Sequence, residues 1–593
     1  MNASGRPIDD QLVNLVLGLL LALAGLAGLL WVAGIITAVA QSLPTPTGRP
    51  SNVLRLLAHP LRPDQAFGTP GLSAAAYWTV ASVLALAVAG LAYGVWRLVT
   101  RAQEQSVRNP HGRAGTATAH DVASTASSRA LLKRAASLRP SVARPRPFDV
   151  GYLIGRSHGH QVWTSVEDST LLVGPPRSGK GLHIVINAIL DAPGAVITTS
   201  TRPDNLAATI SRRKRNGPVA VFDPQRLAEG VPAGLRWSPV RGCEDPLVAM
   251  IRATGLASAT GLSSGGVEGG GFWEGKTRTA LQTLLHAAAL DRRTPRELYA
   301  WTLNPALAGE AVNILASSPG AAEGWADSLE SMIHADPRTR DSIWMGVSLA
   351  LSCLADPRVV TAVSPENGEH FDPAEFLTGN GTLYLLATGA GAGAAWPLVA
   401  AFVEDLVETA RHLAARAPGA RLDPPLLLAL DEIGNLAPLP SLPTLMAEGG
   451  GTGITTMPVL QSLSQARDKW GEHAAGAIWD AAIVKIILGG AAAARDLQDL
   501  STLIGEREER HDTLVVGDHG SRSLQRSTHR VPIMPPDVIR TLPFGTGLVL
   551  PRSTPPIVTD LRPWTARVDA DDLRRARACV ERALQQGHHD TPS

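Results

Sequence analysis

Two long apolar stretches open the chain, and short apolar runs alternating with helical ones fill most of the rest. The first stretch runs from about Leu12 to Ala40 and the second from about Ala74 to Val99. Each exceeds the roughly 20 residues that a helix needs to cross a bilayer core. The first is also too long for the apolar part of a cleaved signal peptide, about 7–15 residues. The pattern predicts two transmembrane helices, about 12–40 and 74–99.

From Asp149 onward the texture changes. Short apolar runs at Thr170–Val173, Ala195–Thr199, Val219–Phe222, Thr382–Ala387, Leu426–Leu430, Ile454–Leu460, Ile483–Leu488 and Gly547–Leu550 have strand length. Continuous apolar runs of this kind suit parallel strands buried on both faces. Alternation with helical segments predicts an α/β fold. Length agrees, since 593 residues are too many for one core.

Charge changes the picture locally, not globally. The formal net charge is +1, so any contact with DNA must come from a local patch. Arg97, Arg101, Arg108, Arg113, Arg129, Lys133, Arg134, Arg139, Arg144 and Arg146 follow the second apolar stretch with few acids between them. That excess places this side of the membrane in the cytoplasm. Both termini are then cytoplasmic and residues 41–73 lie outside. Residues 101–148 are rich in Ser, Ala, Arg and Pro and read as a basic linker touching the inner leaflet, with a short helix around Ser127–Ser137. Cys243, Cys353 and Cys579 have no metal-ligand spacing.

The chemistry begins where the strand STLLV runs into Gly174-Pro175-Pro176-Arg177-Ser178-Gly179-Lys180-Gly181, followed by Leu182 and an apolar helix. Strand, glycine loop, helix is the context of a phosphate-binding loop. Glycines let backbone N–H groups turn toward phosphates, the helix N-terminus adds its dipole, and Lys180 adds a point charge. The usual Ser or Thr after the lysine, a magnesium ligand, is here Gly181. Mg²⁺ must then be held more through water, phosphates and an acid elsewhere. Leu426–Leu430 ends in Asp431-Glu432, a Walker B pattern: Asp431 for the metal, Glu432 to polarise the attacking water. Strand Ile454–Leu460 ends in Gln461, an amide suited to sensing a γ-phosphate. The cofactors expected are ATP and Mg²⁺.

The segments GPPRSGKG, LLLALDEIGNLAPLPSLPTLMAEGGGTGI and VLQSLSQARDKWGEHA resemble the TraG/TraD family of type IV secretion coupling proteins, the conjugative DNA-transfer ATPases. Phe272-Trp273-Glu274 and Val531-Pro532-Ile533-Met534-Pro535-Pro536-Asp537 add to the likeness, which covers about residues 110–560. In that family the residue after the loop lysine is commonly glycine. The turn Thr199–Asp204, TSTRPD, departs from the Asp-x-Lys-Gly-Glu pattern often found there. The resemblance implies a RecA-like P-loop NTPase domain with an inserted all-α domain, preceded by the two transmembrane helices. It implies a homo-hexamer in the inner membrane whose partners are DNA, relaxase or relaxosome proteins and secretion-channel components. It also implies an arginine supplied between subunits, for which Arg338, Arg340, Arg495 and Arg507 are candidates.

The boundaries on this reading are a membrane anchor over 1–100, the linker over 101–148, the NTPase domain over 149–242 and 366–568, the all-α insertion over 243–365 and a tail over 569–593. The insertion carries a flexible loop at Ser258–Gly271. Two other readings compete: an FtsK-like DNA translocase, and a membrane docking receptor for secreted proteins whose nucleotide is structural.

Overall fold

The computed structural model describes residues 10–46, 53, 56, 59–108, 110–231, 234–263, 269–366, 368–388, 394–435, 439–516 and 522–589. Residues 264–268 of the expected loop Ser258–Gly271 lie outside these, as do 436–438 after the Walker B acids.

The N-terminal unit contains the helices Asp10–Ala40 and Ala74–Arg108. Both are long and apolar enough to cross a membrane, over Leu23–Ala40 and Ala74–Arg97. They pack through a small core in which Ala33, Phe67 and Tyr77 are buried, while Val83, Leu86, Val88 and Leu91 face outward. Outward aliphatic side chains on a helix this long suit a lipid surrounding better than water.

The larger unit is built on one sheet. Its strands are β1 (Gly151–Ser157), β2 (His160–Ser165), β3 (Thr170–Val173), β4 (Val196–Ser200), β5 (Val219–Phe222), β6 (Thr382–Leu386), β7 (Leu426–Leu430), β8 (Ile454–Leu460), β9 (Val484–Leu488), β12 (Thr546–Pro551) and β13 (Ile557–Leu561). Between β9 and β12, β10 (Glu506–Val516) and β11 (Arg522–Pro532) form a separate two-stranded sheet. The order across the main sheet is β2-β1-β13-β12-β9-β3-β8-β7-β4-β6-β5. From β9 to β5 every pairing is parallel; from β2 to β9 every pairing is antiparallel. The expected α/β fold is borne out, and the eight expected strands are present within a residue or two at their ends.

Three strands of this sheet were not anticipated. β1 and β2 carry polar or small residues at alternate positions (GYLIGRS, HQVWTS). They form an antiparallel flank and are largely buried, but their glycines, hydroxyls and Arg156 break the continuous apolar run. β13 (IVTDL) is short and joins the same flank.

The reading of 101–148 as a linker needs correcting over its second half. Ala117, Val122, Leu131, Ala135 and Leu138 are buried in the core on one sheet face, beside Leu172 of β3 and Val185. Helices Ala119–Thr125, Ser128–Lys133 and Ala135–Leu138 carry all of these but Ala117. Apolar residues three and four apart line one face, and this spacing outweighs the basic composition. Arg139 pairs with Asp423, just before β7, at 2.8 Å.

Helices between Pro246 and Ala362 fill the chain from β5 to β6 and share the core of the other sheet face. Helix Pro246–Ser258 lies against helix Trp396–Arg416 so closely that a Cβ at Gly255 would sit 2.7 Å from the Ala401 Cα. Beside that crossing Arg252 donates to Asp405 Oδ2 at 2.7 Å, and both side chains are over nine-tenths buried. The guanidinium also stands 5.1 Å from the centre of the Trp237 ring, which stacks on Phe402. Removing one partner of a buried pair strands the other charge, at about 3–5 kcal/mol. Asp405→Ala should therefore lower the unfolding free energy of the detergent-solubilised chain by about that amount in denaturant titrations.

Candidate functional site

The carboxyl ends of β3, β8, β7 and β4 lie side by side in that order. In an open α/β sheet this edge is where ligands bind. Because β8 separates β3 from β7, the loop after β3 and the acids after β7 stand roughly 10 Å apart, two strand spacings. A cleft of about 460 Å³ opens there. Its lining includes Pro176, Arg177, Ser178, Gly179, Lys180, Gly181, Leu182, Asp431, Glu432 and Gln461. The structure thus brings together nearly every residue singled out from the sequence. Gly174 and Pro175 sit at the base of the loop, where Gly174 N donates to Leu460 O of β8 at 3.0 Å.

The loop is shaped by its own residues. Gly179 has φ +89°, and a Cβ there would meet His183 Nδ1 at 2.6 Å, so only glycine fits. His183 Nδ1 lies 3.0 Å from Gly179 O and its ring meets Phe544 edge-on. Burial holds the imidazole below its usual pKa, with the Gly179 carbonyl pulling the other way. The helix after the loop opens with a π-helical turn, Gly181–Val185, before α-helix Ile186–Asp191. Lys180 Nζ donates to Gly174 O at 2.7 Å and Pro175 O at 2.9 Å, folded over its own loop. Its ammonium is held below the usual lysine range by burial, against the pull of Asp431 and Glu432. The Ser178 hydroxyl is buried beneath the loop, with its Oγ 2.7 Å from where a Gly174 Cβ would stand.

The acids are held from the far side by the turn after β4. Thr199 Oγ1 donates to Asp431 O at 2.9 Å, Asn205 Nδ2 donates to Asp431 Oδ2 at 2.9 Å, and the Thr201 hydroxyl bonds Glu432 Oε2. Glu432 itself has φ +54°, a left-handed conformation uncommon outside glycine and asparagine, in a site that requires a sharp exit from β7. Burial pushes the Asp431 carboxyl up to about 6, against the pull of Asn205 and Lys180. Gln461 follows β8, and its N–H is taken by Gln465 Oε1, whose amide in turn donates to Asn435 after the acids. Gln465 thereby ties the β8 turn to the β7 turn.

Thr201, Asn205 and Gln465 were missed from sequence because each acts from a neighbouring strand's turn. The chain end was missed too: Trp564 and Arg577 line the same cleft. Helix Ala570–His589, within the expected tail, packs on helix Asp204–Arg213 through Val580 and Leu584. Arg567 anchors it by pairing with the buried Asp191, at 2.7 Å, at the end of the loop's own helix. Among the described residues none of Arg338, Arg340, Arg495 and Arg507 lines the cleft. Arg340 pairs with Asp341 at 3.1 Å and Arg495 with Glu472 at 2.8 Å.

With this geometry in place, the chain can be compared with known proteins. Residues 425–544 match the family described as the TraM recognition site of TraD and TraG. The TraG/TraD likeness holds over that segment. No curated protein matches the sequence. Among solved structures, the bacterial conjugative coupling protein TrwBdeltaN70, unbound form, is similar at 20% identity and a TM-score of 0.50, over 69% of this chain and 88% of that one. The plasmid coupling protein TrwB in complex with ADP and Mg2+ is similar at 19% identity and a TM-score of 0.48, over 70% and 94%. VirB4 of Thermoanaerobacter pseudethanolicus gives 13% identity and a TM-score of 0.39, over 70% and 96%. The TrwBdeltaN70 likeness establishes the fold.

Asp431 sets a pH dependence with a definite sign. Its proton is held more tightly folded than unfolded, so ionising it costs stability. The cost is absent below the unfolded pKa of about 4, grows toward pH 6 and is constant above, at roughly 3 kcal/mol. Without nucleotide and in EDTA, Asp431→Asn should raise the unfolding free energy by about that amount at pH 8. The gain should vanish near pH 4, as measured by denaturant titration at both pH values.

Proposed function

We propose that this chain is an inner-membrane ATPase that couples ATP hydrolysis to the recruitment and translocation of DNA, as a relaxase–DNA complex, through a type IV secretion or conjugation channel. The observation that carries this reading is the convergence of Lys180, Asp431, Glu432 and Gln461 on one cleft at adjacent parallel strand ends. It occurs in a chain whose residues 425–544 match a TraD and TraG segment.

The residues present fit the nucleotide. The loop's backbone N–H groups and the first turn of the following helix take the β- and γ-phosphates, and Lys180 Nζ exchanges the Gly174 and Pro175 carbonyls for phosphate oxygens. They fit Mg²⁺ as well: the Asp431 carboxylate is half-buried, lines the cleft, and its Oδ2 is already held by an amide. Asp431 would hold the ion, which when bound neutralises charge on the phosphates. Glu432, steadied by Thr201, polarises a water for attack on the γ-phosphorus. Gln461, on the strand between loop and acids, orients that water or reads the γ-phosphate. The two N-terminal helices anchor the chain as a multi-pass protein with the ATPase part in the cytoplasm. A homo-hexamer with a trans-acting arginine, bound to relaxosome and channel components, completes the assembly.

Two substitutions separate binding from chemistry. Lys180→Ala should abolish nucleotide binding. Glu432→Gln should leave it intact while lowering DNA-stimulated ATP turnover by about 10²–10⁴-fold. Both should abolish conjugative transfer while the protein remains in the membrane fraction. Normal transfer by either variant would overturn the proposal.

A further inference from the structure

The position after the loop lysine is where a Ser or Thr hydroxyl ordinarily meets magnesium, and here it is Gly181. A Cβ built on Gly181 would have one heavy atom near it: Asn205 Oδ1, at 3.7 Å. Asn205 comes from another part of the chain, the first turn of helix Asp204–Arg213 after β4. The residue is 3% exposed and lines the cleft. Its Nδ2 donates to Asp431 Oδ2 at 2.9 Å. That bond fixes which way the amide faces, because only the nitrogen can donate to a carboxylate. The carbonyl oxygen is therefore the atom turned toward Gly181.

We propose that Asn205 Oδ1 replaces the missing hydroxyl as a protein oxygen ligand of the nucleotide-bound Mg²⁺, paired with Asp431. The inference rests on the nucleotide reading of the cleft. Mg²⁺ takes oxygen ligands, keeps several waters and uses few protein groups, so one carboxylate and one amide carbonyl suffice alongside phosphates. The two donors are already joined: the Asn205–Asp431 bond sets both oxygens before metal arrives, as partners around a metal commonly do.

Calorimetric titration of ADP into the full-length chain, in Mg²⁺ and in EDTA, tests this. Binding in EDTA by the unaltered chain reports on the nucleotide reading alone, and its absence overturns that reading. Asn205→Ala should bind ADP in EDTA as the unaltered chain does and lose the tightening by Mg²⁺, with metal affinity down by about 10-fold or more. Gly181→Ser in the Asn205→Ala background should restore it by returning the hydroxyl. An undiminished Mg²⁺ effect in Asn205→Ala, an equal loss in EDTA, or no rescue by Gly181→Ser would each overturn the assignment. A readout needing no variant is the pulsed EPR spectrum of Mn²⁺–ADP on chain labelled with ¹³C at asparagine side-chain carbonyls. A ¹³C hyperfine coupling supports direct ligation, and its absence refutes it.

Discussion

Everything at the site depends on a half-buried carboxylate that has lost much of its hydration. Asp431 ends a strand whose five residues are all buried, and its own charge is costly there. The chain offsets that cost by bringing donors to it: the Asn205 amide directly, and the Lys180 ammonium through space. A buried acid of this kind organises its surroundings because each unmet lone pair is penalised. The same desolvation makes it ready to take a cation, since a partly dehydrated charge has less water to lose on coordination.

The sheet order explains why these groups meet. β7 has β8 on one side and β4 on the other, and β3 lies beyond β8. Parallel strands all present their carboxyl ends to one edge. Three turns thus face the cleft with fixed lateral spacing: the loop after β3, Gln461 after β8 and the acids after β7. A fourth, after β4, supports the acids from behind through Thr199, Thr201 and Asn205. The segment after the antiparallel strands adds Trp564 and Arg577 to the lining. It returns the chain from β13 toward the helix after the loop, where Arg567 pairs with Asp191 and Asn187 donates to Arg562 O. This clamp delivers Trp564 and helix Ala570–His589 to the cleft, so the end of the chain closes a site begun near Gly174.

The helices between β5 and β6 are joined to the sheet by a shared core, not tethered beside it. Trp237, Phe222 and Phe402 form one aromatic cluster that spans the start of the helical segment, β5 and helix Trp396–Arg416. Arg252 and Asp405 close the same contact. Close-packed interiors transmit displacement because they have little free volume. Helix Trp396–Arg416 lies in the chain between β6 and β7, so a shift at the Walker B strand has a packed route into the helices above it.

What the sequence made legible follows from which interactions are local. A buried parallel strand writes itself as a continuous apolar run, and β3, β4, β5, β6, β7, β8 and β9 were all readable on that ground. A phosphate loop is likewise local, since Gly174 to Lys180 carry their own shape and charge. The flank strands β1, β2 and β13 were illegible because small and polar residues interrupt their apolar runs as they do in loops. The basic segment misled because arginines such as Arg139 reach an acid 284 residues away, a pairing that composition cannot reveal. The turn TSTRPD shows the limit most clearly. Judged along the chain, it only departs from a familiar motif. Judged across strands, Thr201 of the turn and Asn205 just after it are the residues that hold Glu432 and Asp431, and Asn205 Oδ1 lies nearest Gly181. Gly181 and Asn205, separate along the chain, meet because β3, β8, β7 and β4 all present their carboxyl ends to one edge.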